Sequence, residues 1–234
     1  MISRRSVRGG FLSAAMAGSL FLSATDCGGD GDDDALPDDY EVVVGTQLCG
    51  GRAVSADASR ALKVITGSSR FEASAEKYTV AQAATDMGEA FSVSTVTKDV
   101  CRVYTPIGTR HFELRITWRL DDRGPTDDPA DPKFTVLKMG EEALAAADQG
   151  YVYFACLSDR LSSLATVAHI VIGVEHRDVW KEPGGDVKAL KDAYATVAHS
   201  VSLAMAKELR CEKNGGLPAQ PVLVPAAAPT PSTA

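Results

Sequence analysis

The sequence predicts an α+β fold: an antiparallel sheet covered on one face by short N-terminal helices and a long C-terminal helix, with two disulfides. Three patterns carry this expectation. From His111 to Leu120, Phe112, Leu114, Ile116, Trp118 and Leu120 alternate with Glu113, Arg115, Thr117 and Arg119. That period marks a strand with one face on a core and the other in water. From Asp186 to Cys211, Val187, Leu190, Tyr194, Val197, Val201 and Ala204 recur at three- and four-residue spacing, the stripe of a helix with one buried side. Finally, Cys49, Cys101, Cys156 and Cys211 span the same region. They are an even number with no CxxC pair and no zinc-finger spacing to a histidine, which favours two structural disulfides.

In chain order, residues 1–24 read as a signal peptide. Arg4, Arg5 and Arg8 form a positive start, and Gly10 to Ala24 is a modestly apolar stretch too short to span a membrane. Ser3-Arg4-Arg5-Ser6-Val7 also resembles a twin-arginine export signal, so the Sec and twin-arginine routes both stay open. Cys27, followed by Gly28-Gly29-Asp30, has the placement of a lipoprotein cysteine, although Asp26 stands where such signals want a small residue. The alternative is a released chain with a spare thiol. Residues 25–39 form an acidic flexible tether. Asp30, Asp32, Asp34, Asp38 and Glu41 fall on calcium-loop positions, but Ala35 replaces the turn glycine and flanking helices are lacking. A solvated spacer is the better reading.

A single α+β domain spans residues 40–214. Ser55 caps a short helix with Ala58, Ala61, Leu62 and Ile65 on one face, and Gly67 stops it. Thr79 and Gln82 have capping-box spacing ahead of Val80, Ala83, Ala84 and Met87. Around Cys101 the period becomes two, with Val100, Arg102 and Tyr104 on one side. The strand to Leu120 follows, then a Pro/Asp/Gly loop from Asp121 to Lys133 and a strand from Phe134 to Met139. Residues 140–150 have helix-prone composition and read as a brief helix or ordered loop. Tyr151 to Leu157 is an apolar strand, and His169 to Arg177 another, with Ile170, Ile172 and Val174 inward. In the final helix, Lys188, Lys191, Asp192, His199 and Lys207 fall off the stripe and predict a wet side. Residues 215–234, rich in proline and alanine, read as a disordered tail.

The four cysteines allow three pairings. Cys49–Cys101 would fasten the N-terminal helices to the sheet, and Cys156–Cys211 the final helix. The main rival joins Cys49 to Cys211 and Cys101 to Cys156. Either arrangement belongs to an oxidising compartment outside the cytoplasm.

Charge excludes some partners. The chain has 24 Lys+Arg against 31 Asp+Glu, and losing the leader would remove three more arginines. Nucleic acid and anionic lipid headgroups both need a basic face, so membrane contact would come only through a lipid on Cys27. No Gly-x-Ser-x-Gly, HExxH, phosphate loop or dinucleotide fingerprint occurs. His169 and His176 lie an odd number of residues apart on one strand and face opposite sides; His111 and His199 read as surface histidines. Glu113 and Glu175 could approach like a glycosidase pair. Cross-strand pairing of these acids with Arg115, Arg119 and Arg177 is the simpler reading. Trp118 reads as core, whereas Trp180 could line a groove.

Leu48-Cys49-Gly50-Gly51, Ile65-Thr66-Gly67, Val100-Cys101-Arg102-Val103-Tyr104 and Tyr153-Phe154-Ala155-Cys156 resemble motifs of secreted or lipoprotein-like domains of streptomycetes and related actinobacteria. The order of cysteines, sheet and final helix is more distantly similar to disulfide-stapled extracellular sensor and lipoprotein domains of mycobacteria. The resemblance spans roughly residues 40–213. It implies fold and compartment, agrees with the sequential pairing, and implies no catalytic, cofactor or metal residues. The expected function is a non-catalytic cell-envelope domain that binds a protein partner or wall component. A carrier of a small apolar ligand between sheet and helices, or an unrecognised hydrolase, are the alternatives.

Overall fold

The computed structural model describes residues 40–89, 96–121, 123–126, 128–161, 167–177 and 184–226. All of them belong to one unit, Pro37–Ala234. The signal peptide, Cys27, the tether, Trp180 and residues 227–234 lie outside the described residues.

Val42–Val44 (β1) pairs antiparallel with Arg70–Glu72 (β2). Between them lie a 3-10 turn at Gly45–Gly50 and helix α1, Ala56–Thr66. The Ser55 side chain accepts the Ala58 N–H, and Gly67 closes the helix at φ 77°. Helix α2, Val80–Gly88, starts the same way, with Thr79 accepting the Gln82 N–H. Both helices bury the apolar faces read from the sequence.

Six strands form the main sheet: β3 (Lys98–Tyr104), β4 (Glu113–Asp121), β5 (Thr135–Leu137), β6 (Glu142–Ala145), β7 (Gln149–Cys156) and β8 (Ala168–His176). Their order is β3-β4-β8-β7-β6-β5, antiparallel throughout. Ile116 faces Val174, Trp118 faces Ile172 and Leu120 faces Ile170, and Ile172 in turn faces Val152. These residues and Phe154 form one continuous apolar face, all nearly without solvent contact. In β3, a bulge at Val100 puts two residues against one of β4. Val100 is therefore buried along with Cys101 and does not share the side of Arg102 and Tyr104.

The segment expected to be a helix or loop within 140–150 is strand β6. Alanine's helical preference is worth at most about 0.7 kcal/mol per residue over ordinary residues. Ladder bonds to β5 and β7 on both sides outweigh it, at about 1 kcal/mol net each. Ala143 and Ala145 also suit the place, because the final helix passes close by. That helix, α3 (Val187–Glu208), packs on β6, β7 and β8. At Gly150 an added Cβ would come within 3.0 Å of the Tyr194 backbone, a contact only glycine permits.

Helix α3 begins where expected, with Asp186 accepting the Ala189 N–H. Its surroundings confine the wet side to the two ends, where Lys188 and Lys207 are exposed and Lys191 and Asp192 half-buried. Residues 193–202 are buried all round, because α1, α2 and the C-terminal segment pack on the helix in addition to the sheet. The Ser55 N–H donates to Ser200 Oγ at 2.9 Å, and that hydroxyl donates to Ala53 O at 2.8 Å. Ala193, Ala195, Ala198, Ser200 and Ser202, spread around the helix, keep it narrow enough for close approach on several sides. His199, expected at the surface, is only 3 % exposed.

The tail supplies the cover over His199 and corrects the boundary at 214. Residues 215–226 run back over the domain: Leu217 is buried and the Pro218 carbonyl lies 2.9 Å from His199 Nε2. Pro225 bridges Leu137 on β5, and the Ala226 N–H donates to Val136 O at 2.8 Å. The low-complexity composition concealed enough apolar side chains to pack.

The disulfides join Cys49 to Cys101 and Cys156 to Cys211, with Cα separations of 5.5 and 4.9 Å. Each closes a loop of roughly fifty residues, which stabilises by about 4 kcal/mol through chain entropy. Two such bonds fit an oxidising, extracytoplasmic setting. Among the described residues, no helix is long and apolar enough to cross a membrane.

Candidate functional site

Helices occupy one face of the sheet and leave the other uncovered by helix. At one end of this open face, Asp99 receives both Arg102 Nε, at 3.0 Å, and Arg115 Nε. Arg102 also reaches Glu113 at 3.6 Å, and Tyr104 Oη donates to Glu113 at 3.3 Å. Arg115, not Glu113, stands opposite Glu175 in the ladder. Glu175 lies 2.5 Å from the Tyr151 hydroxyl. Burial, then the Glu175 hydrogen bond, pushes that phenol well above its ordinary pKa. Glu113 and Glu175 are thus held in separate contacts and do not form a glycosidase-like pair. The face is a lattice of matched charges.

The histidines are scattered. His111 is exposed, and the His176 ring stacks on Phe112 at 4.1 Å. Burial lowers the pKa of His199, opposed in part by its bond to Pro218. Only His169 joins the open face, where Nδ1 lies 2.9 Å from Glu141. Among the described residues, no group of three His, Cys, Asp or Glu side chains is gathered as a metal site. Trp118 is core at 3 % exposure.

At the other end of the open face is a cleft of about 540 Å³. Its floor comes from three strands: Arg119 and Asp121 of β4, Tyr153 of β7, and Glu142 and Leu144 of β6. Strand alternation turns all five the same way. Its far wall is the connection between β4 and β5, with Arg123, Pro125, Asp128 and Pro129. Gly124 lets that connection pass close above the Glu141–His169 pair, where a Cβ would sit 3.1 Å from Glu141 Oε1 and 3.3 Å from His169 Nδ1. Phe134, at its end, meets the Tyr151 ring edge-on at 6.0 Å.

Inside the cleft, Arg119 donates to Asp121 Oδ2 at 3.1 Å, and its guanidinium lies 5.9 Å from the centre of the Tyr153 ring. Glu142 is the direct cross-strand partner of Tyr153. Burial alone raises its pKa above the usual carboxyl value. Nothing in the sequence pointed to Glu142. The only available signal was its alternation with Ala143, which the alanine-rich composition hid.

Two further clefts involve the tail. One of about 480 Å³ lies between β5 and residues 216–226, and one of about 260 Å³ lies among Asp57, His199 and Gln220.

Comparison of the chain with protein-family models, with curated proteins and with solved structures finds no match.

Proposed function

We propose that this chain is a non-catalytic binding domain of the cell envelope that holds a protein partner against the open face of its sheet. The observation that carries the reading is the division of the sheet: helices bury one face, while Tyr104, Tyr151, Tyr153 and a ring of paired charges lie on the other. Such pairs bind without rearranging, and aromatic side chains supply contact area at small entropic cost. Export by the leader, through the Sec or twin-arginine route, and acylation at Cys27 fit this role. So does the resemblance to actinobacterial lipoprotein-like domains. An apolar-ligand carrier is less well supported, because Val152, Phe154, Ile170, Ile172 and Val197 fill the space between sheet and α3. The three clefts described lie elsewhere. A hydrolase lacks convergent groups among the described residues.

Photocrosslinking on the producing cell tests the reading. A benzophenone amino acid at Tyr104 or Tyr153 should yield a discrete protein adduct. The same group at Val64, which is 51 % exposed on α1, should yield none. Equal adducts at all three positions, or none, would overturn the proposed docking face.

A further inference from the structure

We infer that the cleft is a site for the primary ammonium of a lysine side chain on a protein partner, held between the Glu142 carboxylate and the Tyr153 ring. This rests on the binding reading above and names what the open face takes. The first observation is a missing counter-ion. Asp121 has Arg119, and neighbouring Glu141 has His169. Glu142 has no hydrogen bond or ion pair among the described residues, and only burial acts on its pKa. A carboxylate drawn partly out of water without a partner is stabilised by any cation that reaches it.

The second observation is the balance of charge. Among the described residues that line the cleft, two arginines, Arg119 and Arg123, face three acids, Asp121, Asp128 and Glu142, a negative balance that disfavours an anionic ligand. The third is the form of the walls. Tyr153 presents an aromatic ring beside Glu142, and ring faces attract ammonium groups. Leu144, Pro125 and Pro129 offer apolar surface against which a four-carbon stem can lie while its charged end meets the acid. A divalent metal fits less well, because it needs several oxygen ligands at once.

Titration of the purified protein with Ac-Gly-Lys-Gly-NH2, followed by amide-shift NMR, tests the site. The norleucine peptide and glucosamine serve as comparisons. The lysine peptide should shift the amides of Glu142 and Tyr153, while the norleucine peptide leaves them in place. Glu142→Gln should weaken lysine binding about fivefold, the scale of one partly exposed ion pair. Tyr153→Phe should retain binding and Tyr153→Ala lose it, with Glu141→Gln unchanged. Thermal melts identify variants that are folded. Equal binding of norleucine, an unaffected Glu142→Gln, or tighter binding of glucosamine would each overturn the inference. Open-face cross-links that persist beside a failed lysine titration would remove this inference and leave the docking face standing.

Discussion

On the covered face of the sheet, Phe154 lies against Gly215, fully buried. On the open face its neighbour Tyr153 stands beside Glu142 and Arg119, half in water. One peptide bond separates two physical settings. The covered face is held by shape, because its side chains touch apolar neighbours on every side and any change of volume is felt. The open face is held by pairing, one charge against another across the strands, and most of its energy is exchanged with solvent. The first therefore fixes the fold, and the second can change with little effect on it.

Substitutions in β7 sharpen that contrast most. Phe154→Ala should destabilise by about 4 kcal/mol, and Tyr153→Ala by about 1 kcal/mol or less, as read from urea unfolding. Similar losses at both positions would break the distinction between the faces. Cys211→Ser should lose up to about 4 kcal/mol and leave Cys156 reactive to a thiol probe, while Cys49 stays protected. Truncation after Gly216 should cost about 2 kcal/mol from the Leu217 side chain. It should also uncover the outer edge of β5, so that sedimentation reveals concentration-dependent association.

Two titratable groups give smaller effects of opposite sign. His199 has a depressed pKa in the fold, so the unfolded chain binds its proton more readily. Stability from this group is present above the ordinary histidine value of about 6.5 and is lost as pH falls below it. His199→Gln should flatten the melting temperature between about pH 7 and pH 5. Glu142 has a raised pKa, so its ionisation opposes folding as pH rises through that value. Glu142→Gln should leave the melting temperature at neutral pH unchanged or slightly higher, even as it weakens the lysine peptide.

Where local signals agreed with the tertiary environment, the sequence was legible. Ser55, Thr79 and Asp186 cap their helices, and the alternation through Leu120 and the spacing from Leu190 to Val201 name buried faces correctly. The residues leave two cysteine pairings open; the sequential one, with which the resemblance agrees, is the one formed. Three features were hidden for a common reason: small residues carry no hydrophobic signal. Ala143 and Ala145 concealed β6, and with it Glu142. Ala193, Ala195, Ala198, Ser200 and Ser202 concealed the burial of α3 beyond its apolar stripe, so His199 read as wet. Alanines and prolines after Gly216 masked a tail that packs. The cleft depends on register between strands far apart in the chain, and no local pattern encodes that register.

The two disulfides divide the chain into consecutive loops that neither nest nor cross. For a chain threaded through a membrane from its N-terminus, this sets an order of events. Cys49 and Cys101 are both outside, and can be oxidised together, before Cys156 has emerged. The second pair then closes with no earlier structural thiol left to compete. A chain exported already folded would gain nothing from this arrangement.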